Sequence, residues 1–196
     1  MNPTAIAQQS QERTVLIGFI GSPCSGKTTT AARLFADLKD FGYVAEFVPE
    51  QARLYIAHQR QLTSETVTLT DADQFQILKS QRSAEELMLH GDTIVVTDSS
   101  ILNTLLYLSS EFQSESFLKE VDVAARRYDL LFRCPPVQTT AICDPNRVHS
   151  FAQSVELHGR LDQLLAARNV TSIPLGGSTR QRASAAMSLV LERLCR

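Results

Sequence analysis

The chain has 196 residues, 43% hydrophobic and 20% charged, with a formal net charge of −2. That is enough for one buried core in one domain, and the near-neutral balance excludes the basic excess of an obligate nucleic-acid binder. No apolar run approaches the roughly 20 residues of a membrane-spanning helix, so neither nucleic acid nor membrane is expected as a partner.

Residues 1–13 are polar and glutamine-rich and are expected to form a disordered tail, leaving 14–196 as a single domain. They carry no apolar leader, so a cytoplasmic location is expected. Thr14 to Ile20 is a β-branched apolar run that reads as a strand buried on both faces. A glycine-rich loop follows, then a helix over about Lys27–Phe41 with the stripe Ala31, Leu34, Phe35 and Leu38, stopped by Gly42. Tyr43–Val48 predicts the second strand and Glu50 to about Gln59 a helix. Residues 61–70 read as a loop, and Asp71 as the N-cap of a helix to about His90. Thr93–Thr97 is the third strand, and one or two helices span about Ile101–Arg127. Asp129–Phe132 lies within the fourth strand. Cys134–Ser150 reads as a loop, followed by a helix to about Arg168, a strand over Val170–Leu175 and a last helix over about Arg180–Leu194. Strands without polar alternation, each followed by a helix, predict an α/β fold of three layers, with a parallel sheet covered on both faces.

The most specific signal is Gly21-Ser22-Pro23-Cys24-Ser25-Gly26-Lys27-Thr28, which fits G-x-x-x-x-G-K-[ST] without a mismatch. Glycine occupies roughly 7% of positions in ordinary chains, so a chance match in a chain of this length is a rare event, and the flanking strand and helix supply the context the motif requires. Its backbone amides cradle an anion, the helix N-terminus adds positive potential, the Lys27 ammonium reaches the outer phosphates and the Thr28 hydroxyl ligates Mg²⁺. Thr29 completes the set. The expected ligands are therefore ATP, or another nucleoside triphosphate, and Mg²⁺. The bland alternative is a turn with a solvated lysine. Cys24, inside the loop, reads as filler that lets the backbone turn. The four cysteines, Cys24, Cys134, Cys143 and Cys195, lack C-x-x-C spacing and are expected as free thiols, not zinc ligands.

Two acidic residues stand at strand ends, where open parallel sheets bind ligands. Asp98 follows the third strand and is a candidate Mg²⁺ partner, or else, with Ser99 and Ser100, a cap for the helix beyond it. Glu50 follows the second strand in Val48-Pro-Glu-Gln-Ala-Arg53. It is placed to accept a proton from an attacking hydroxyl, or to complement a helix dipole with Arg53 as an ion-pair partner one turn on. Gln74 and Gln81, seven apart on one helix face with Leu78, either read a substrate's hydrogen-bonding edge or stay solvated.

From Val15 to about Leu194 the sequence resembles the P-loop kinase-like ATPases of the nicotinamide riboside kinase (NadR) type and, more distantly, the thymidylate and deoxynucleoside kinases. The resemblance is carried by the phosphate loop, Pro-Glu-x-Ala-Arg53, Phe75 and Gln81, the strand ending in Asp98, Tyr-Asp-Leu-Leu-Phe132 before Pro-Pro, and Asp144-Pro-Asn-Arg147. It implies a five-stranded parallel sheet in a P-loop NTPase fold, a lid over about 134–160, and an enzyme transferring a phosphoryl group from ATP to a small nucleoside-like acceptor. Lys27, Glu50, Asp98 and Arg147 would be catalytic, with Arg133 or Arg160 as further lid arginines, and Arg53, Gln74 and Gln81 would touch the acceptor. The more distant kinases carry Asp-Arg after the third strand, where this chain has Asp98-Ser99, and Asp144-Pro-Asn-Arg147 has proline where the family tends to have glycine. The alternative is an ATPase or nucleotide-switched binding protein without an acceptor. A homo-oligomer is compatible with everything above.

Overall fold

The computed structural model describes residues 14–63, 67–137 and 150–195. Five parallel strands form one sheet in the order β2-β3-β1-β4-β5: β1 Val15–Ile20, β2 Ala45–Val48, β3 Ile94–Thr97, β4 Leu130–Arg133 and β5 Ile173–Pro174. The six helices described are α1 Lys27–Asp40, α2 Gln51–Thr63, α3 Asp71–Met88, α4 Glu115–Ala125, α5 Phe151–Ala167 and α6 Thr179–Leu194. The three-layer α/β architecture and the five-stranded sheet agree with the expectation. Among the described residues no helix is long and apolar enough to cross a membrane.

The period-two geometry of a strand explains why β1 is apolar throughout. Val15, Ile17 and Phe19 face α1 and α6, packing with Leu34, Leu38, Ala186 and Val190. Leu16 and Ile20 face the opposite layer, with Leu102, Leu105, Val121 and Leu161. A central strand covered on both faces has no side on which a polar residue would meet water. Phe19 on β1 pairs in register with Phe132 on β4, ring centroids 5.4 Å apart, a contact worth about 1 kcal/mol beyond area burial. Gly18 occupies a tight point on the other face. A Cβ there would stand 2.7 Å from the Tyr128 ring.

The helix ends follow their local chemistry. Gly42, at φ +85°, closes α1 as anticipated, with Gly42 N donating to Lys39 O and Tyr43 N to Leu38 O, the paired bonds of a left-handed C-terminal cap. At α3 the cap is Thr70, not Asp71. The Thr70 hydroxyl accepts from Asp73 N while the Asp73 carboxylate accepts from Thr70 N, a reciprocal box that leaves Asp71 free for another task. The Asp71 carboxylate takes both the backbone N–H and the hydroxyl of Ser109, 2.8 and 2.9 Å away.

Three further expectations are corrected. Helix α2 runs to Thr63, into what read as loop. The segment read as helix over Ile101–Arg127 begins with a 3₁₀ turn at Ile101–Leu106, followed by a second at 110–112, and becomes α-helical at Glu115. All six residues of the first turn are buried, so packing prevails over local helix propensity. Strand β5 is limited to Ile173–Pro174 because it pairs on one side, with β4, and ends in a residue that has no N–H to donate.

Candidate active site

The loop between β1 and α1 turns through two left-handed residues, Cys24 at φ 59° and Gly26 at φ 71°. Glycine takes that conformation freely. For cysteine it is strained, so Cys24 is indeed a turn residue, held there by its surroundings. Gly21 is required for a different reason: a Cβ would come within 2.6 Å of the Cys134 carbonyl oxygen and 2.8 Å of Ser25 Oγ.

The loop's carbonyls are gripped from outside. Asn103 Nδ2 donates to Gly21 O at 3.3 Å, Val137 N to Cys24 O at 3.0 Å, and Arg182 Nη1 to Ser25 O at 2.6 Å. A trans peptide points its C=O and the following N–H in opposite directions. With these three carbonyls turned out, the N–H groups of Ser22, Ser25 and Gly26 turn inward. Helix α1 adds its own N-terminus, whose cap position is Gly26 with no side-chain acceptor and no acidic residue in the first turn. The arrangement is that of an anion cradle.

Lys27 projects over this cradle, its Nζ 3.3 Å from Glu50 Oε2. Burial alone would pull the ammonium down. The nearby Glu50, Asp98 and Tyr107 more than offset that and hold it above its ordinary value. Burial raises the Asp98 carboxyl, and Glu50 adds to the rise, while Lys27, a hydrogen bond with Thr28 and the exposed Arg53 oppose it. Lys27, Thr28, Glu50 and Asp98 are thus brought together at the carboxyl ends of β1, β2 and β3, as their sequence positions implied.

Buried side-chain atoms without a hydrogen-bond partner gather at the same place. Ser22 Oγ, Ser25 Oγ, Asp98 Oδ1 and Ser100 Oγ are four of the seven such atoms among the described residues. Native interiors leave few polar atoms unpaired, so their concentration around one loop marks a place built to receive polar atoms from outside the chain. The free oxygen of Asp98, beside the Thr28 hydroxyl, fits a hard cation or its water shell, which oxygen ligands suit. Among the described residues no cluster of three or more His, Cys, Asp or Glu forms an all-protein metal cage. Mg²⁺, which typically binds through one or two protein oxygens plus phosphates and water, does not need one.

Beside the cradle lies a small cleft of about 20 Å³, room for little more than a water, lined by Glu50, Gln74, Ile77, Asn103, Thr104 and Tyr107, among others. No basic residue is among the described residues that line it. Gln74 is buried on this wall and is not a solvated surface amide. Gln81 also borders the cleft, but both ends of its amide meet the protein: Oε1 accepts from Gln51 N at 3.0 Å and Nε2 donates to Thr97 Oγ1 at 2.9 Å. Arg53 is exposed and makes no ion pair with Glu50, whose partner is Lys27. Pro23 and Thr28 are half-buried in the loop region, and Thr29 is exposed on the first turn of α1.

Of the arginines assigned to a lid, Arg147 lies outside the described residues. Arg133 forms an ion pair with Asp162 of α5, and Arg160 donates to Leu106 O at 3.4 Å. Helix α5, in the second half of the expected lid, packs Leu157 and Leu161 inward.

Two residues important to the cradle were not singled out in the sequence. Asn103 sits in the apolar run Ile-Leu-Asn-Thr-Leu-Leu and grips both the N–H and the C=O of Gly21. Arg182, in Thr-Arg-Gln-Arg, is buried to 2% exposure and donates to Ser25 O and Pro135 O. Its spacing of four from Ala186 and eight from Val190, both buried, was the available signal that it lies on the inner face of α6.

Among families, the model described as AAA domain matches residues 16–182. No curated protein matches. Among solved structures, a NadR protein in complex with NR superposes with a TM-score of 0.70 at 22% identity, over 95% of this chain and 53% of that one. A NadR protein in complex with NAD and AMP-PNP gives 0.67 at 19% identity, over 94% and 50%. Thymidylate kinase from Candida albicans gives 0.56 at 15% identity, over 93% and 94%. The chain therefore spans about half the length of the NadR chains, and at these identities the likeness is one of fold. The fold likeness to both NadR and thymidylate kinase is the one the sequence motifs indicated.

Proposed function

The chain belongs to the AAA domain family, and from that premise we propose that it is an ATP-dependent phosphotransferase acting on a small, nucleoside-like hydroxyl compound. The observation that carries this reading is the Glu50 carboxylate, held 3.3 Å from Lys27 at the phosphate loop and bordering a cleft lined by amides and hydroxyls. The absence of a basic side chain from its described lining favours an acceptor without a phosphate of its own. The NadR neighbours, solved with NR and with NAD and AMP-PNP, support a nucleoside-sized acceptor and a triphosphate donor.

In this reading the inward amides of residues 22–28 hold the triphosphate, and Lys27 turns from Glu50 to the β- and γ-phosphates. Thr28 and Asp98 hold Mg²⁺, which supplies charge neutralisation on the phosphate oxygens. Glu50, released by Lys27, accepts the proton of the acceptor hydroxyl. As that oxygen forms its bond to the γ-phosphorus, the bond from the γ-phosphorus to the β-bridging oxygen breaks and ADP leaves. Positioning and electrostatic stabilisation account for most of the acceleration in such transfers.

The test is incubation with ATP and Mg²⁺ against a panel of nucleosides, nucleotides and NR, read by mass spectrometry. Gain of one phosphoryl group by an unphosphorylated acceptor is the expected result. Release of inorganic phosphate with no phosphorylated product from the panel would replace this reading with that of a hydrolase or nucleotide-driven switch.

A further inference from the structure

Four buried side chains behind the cleft link the loops that carry Lys27, Glu50 and Asp98. Gln81 of α3 accepts from the backbone N–H of Gln51, the residue after Glu50, and donates to the hydroxyl of Thr97, the residue before Asp98. A single planar amide, 3% exposed, therefore spans the ends of β2 and β3. One turn along α3, Glu85 accepts from the Tyr128 hydroxyl at 2.8 Å, and that hydroxyl accepts in turn from Ile101 N at 3.1 Å. Ile101 opens the 3₁₀ turn on which Asn103 holds Gly21.

We propose that Gln81 is a positioning residue that fixes Glu50 and Asp98 relative to each other, with Glu85, Tyr128 and Asn103 extending the same brace to the phosphate loop. The inference rests on the phosphotransferase reading for its kinetic consequence, but the brace itself is a property of the chain.

The physical case is one of leverage. Glu50 and Asp98 lie on segments that leave neighbouring strands and then diverge. Their relative position depends on the first peptide of α2 and the last side chain of β3. Both are held by one rigid group with fixed donor and acceptor directions. An apolar residue of similar volume fills the same space but leaves Gln51 N–H without its acceptor and takes one donor from the Thr97 hydroxyl, which keeps Ser99 O and Glu85, and the loop after β2 shifts to re-pair its N–H. Displacements of about 1 Å at a reacting centre cost on the order of 10²-fold in rate.

The test compares wild type with Gln81→Leu and Thr97→Val. Thr97→Val keeps the shape of the β3 end and removes only the hydroxyl, so it stays informative if Gln81→Leu folds poorly. Two readouts run in parallel: steady-state kinetics for ATP and acceptor, and amide hydrogen exchange at Gln51. The expected result for Gln81→Leu is a kcat about 10²-fold lower with the KM for ATP within about threefold, a larger share of ATP turned over to water, and lost protection at Gln51. Thr97→Val is expected to show a smaller kcat loss of the same kind with Gln51 still protected. Unchanged kcat and unchanged partition between acceptor and water in Gln81→Leu would overturn the proposal. If wild type transfers to no acceptor, the phosphotransferase reading falls separately. The exchange data then decide: loss of Gln51 protection in Gln81→Leu upholds the brace and retention removes it.

Discussion

Lys27, the first residue of α1, and Glu50, in the turn between β2 and α2, face each other with 3.3 Å between ammonium and carboxylate. The pair sets one candidate phosphate-binding group against one candidate proton acceptor, so the two can be separated by mutation. Lys27→Met removes the charge over the cradle and leaves Glu50 without its partner. Truncating one member of a hydrogen-bonded, desolvated charge pair typically costs 2–5 kcal/mol or more. Binding of ATP is expected to weaken by about 10²-fold or more, measured by calorimetric titration. Unchanged affinity would mean that Lys27 does not contact the nucleotide.

Glu50→Gln keeps the size of the side chain and its place at the cleft but removes the base. Affinity for ATP should stay within a few fold. Acceptor phosphorylation should fall by about 10²- to 10⁴-fold, the usual contribution of a positioned general base. Parallel loss of ATP binding in this variant would instead assign Glu50 to the nucleotide.

The Glu85 carboxyl is pushed up to about 7 from its ordinary 4.5, chiefly by burial, with hydrogen bonds from Tyr128 and others opposing the rise. The folded state therefore keeps a proton that the unfolded chain releases near 4.5. The resulting stabilisation is complete below about pH 4.5 and is lost as the pH rises through about 7. A shift of this size corresponds to something on the order of 3 kcal/mol. Urea unfolding of wild type should show this component falling between pH 5 and 7.5, and Glu85→Gln should flatten it. An equal slope in the variant would show that Glu85 does not titrate in that window.

Gly18 admits no side chain without displacing the Tyr128 ring, 2.7 Å from the Cβ position. Gly18→Ala is expected to lower stability by about 1–3 kcal/mol, the usual range for overpacking. Because Tyr128 also holds Ile101 N and Glu85, the strain should spread toward the phosphate loop. A thermal shift of less than a degree would show that Tyr128 yields at no cost.

Arg182 donates to the carbonyls of Ser25 and Pro135 from a buried position. Arg182→Met leaves both acceptors unpaired, at a cost of about 1–3 kcal/mol each if no water replaces the donor. The melting temperature should fall and ATP affinity should weaken, with Arg182→Lys restoring part of both. A fall in melting temperature with ATP affinity unchanged would confine Arg182 to a structural role.

The parts of the fold that could be read in the sequence are those encoded by neighbours. The apolar run Val15–Ile20, the loop 21–28 and Gly42 each declare their structure within a few residues. The Asp71 cap was misread because Thr70 and Asp73 satisfy each other, a reciprocity that the favoured N-cap type of Asp71 concealed. The 3₁₀ turn at 101–106 escaped because its conformation is imposed by burial on every side. The convergence of Lys27, Glu50 and Asp98 was legible because parallel strands align their ends. Asn103 was not, since a single amide in an apolar run acquires meaning only when the Gly21 peptide lies against it. The same holds for Gln81, whose face was foreseen but whose partners come from two other elements.

The contact between Arg182 and Ser25 joins residues 157 positions apart. The stretch that carries the most recognisable motif is thus made long before one of the groups that shapes it. During N-to-C synthesis, the nascent polypeptide would expose Gly21–Thr28 long before α6 could leave the ribosome and dock. Competence for nucleotide then waits for the docking of α6 and not for the emergence of the motif. Stalled chains ending before residue 179 should fail to retain a triphosphate analogue that released chains containing α6 hold.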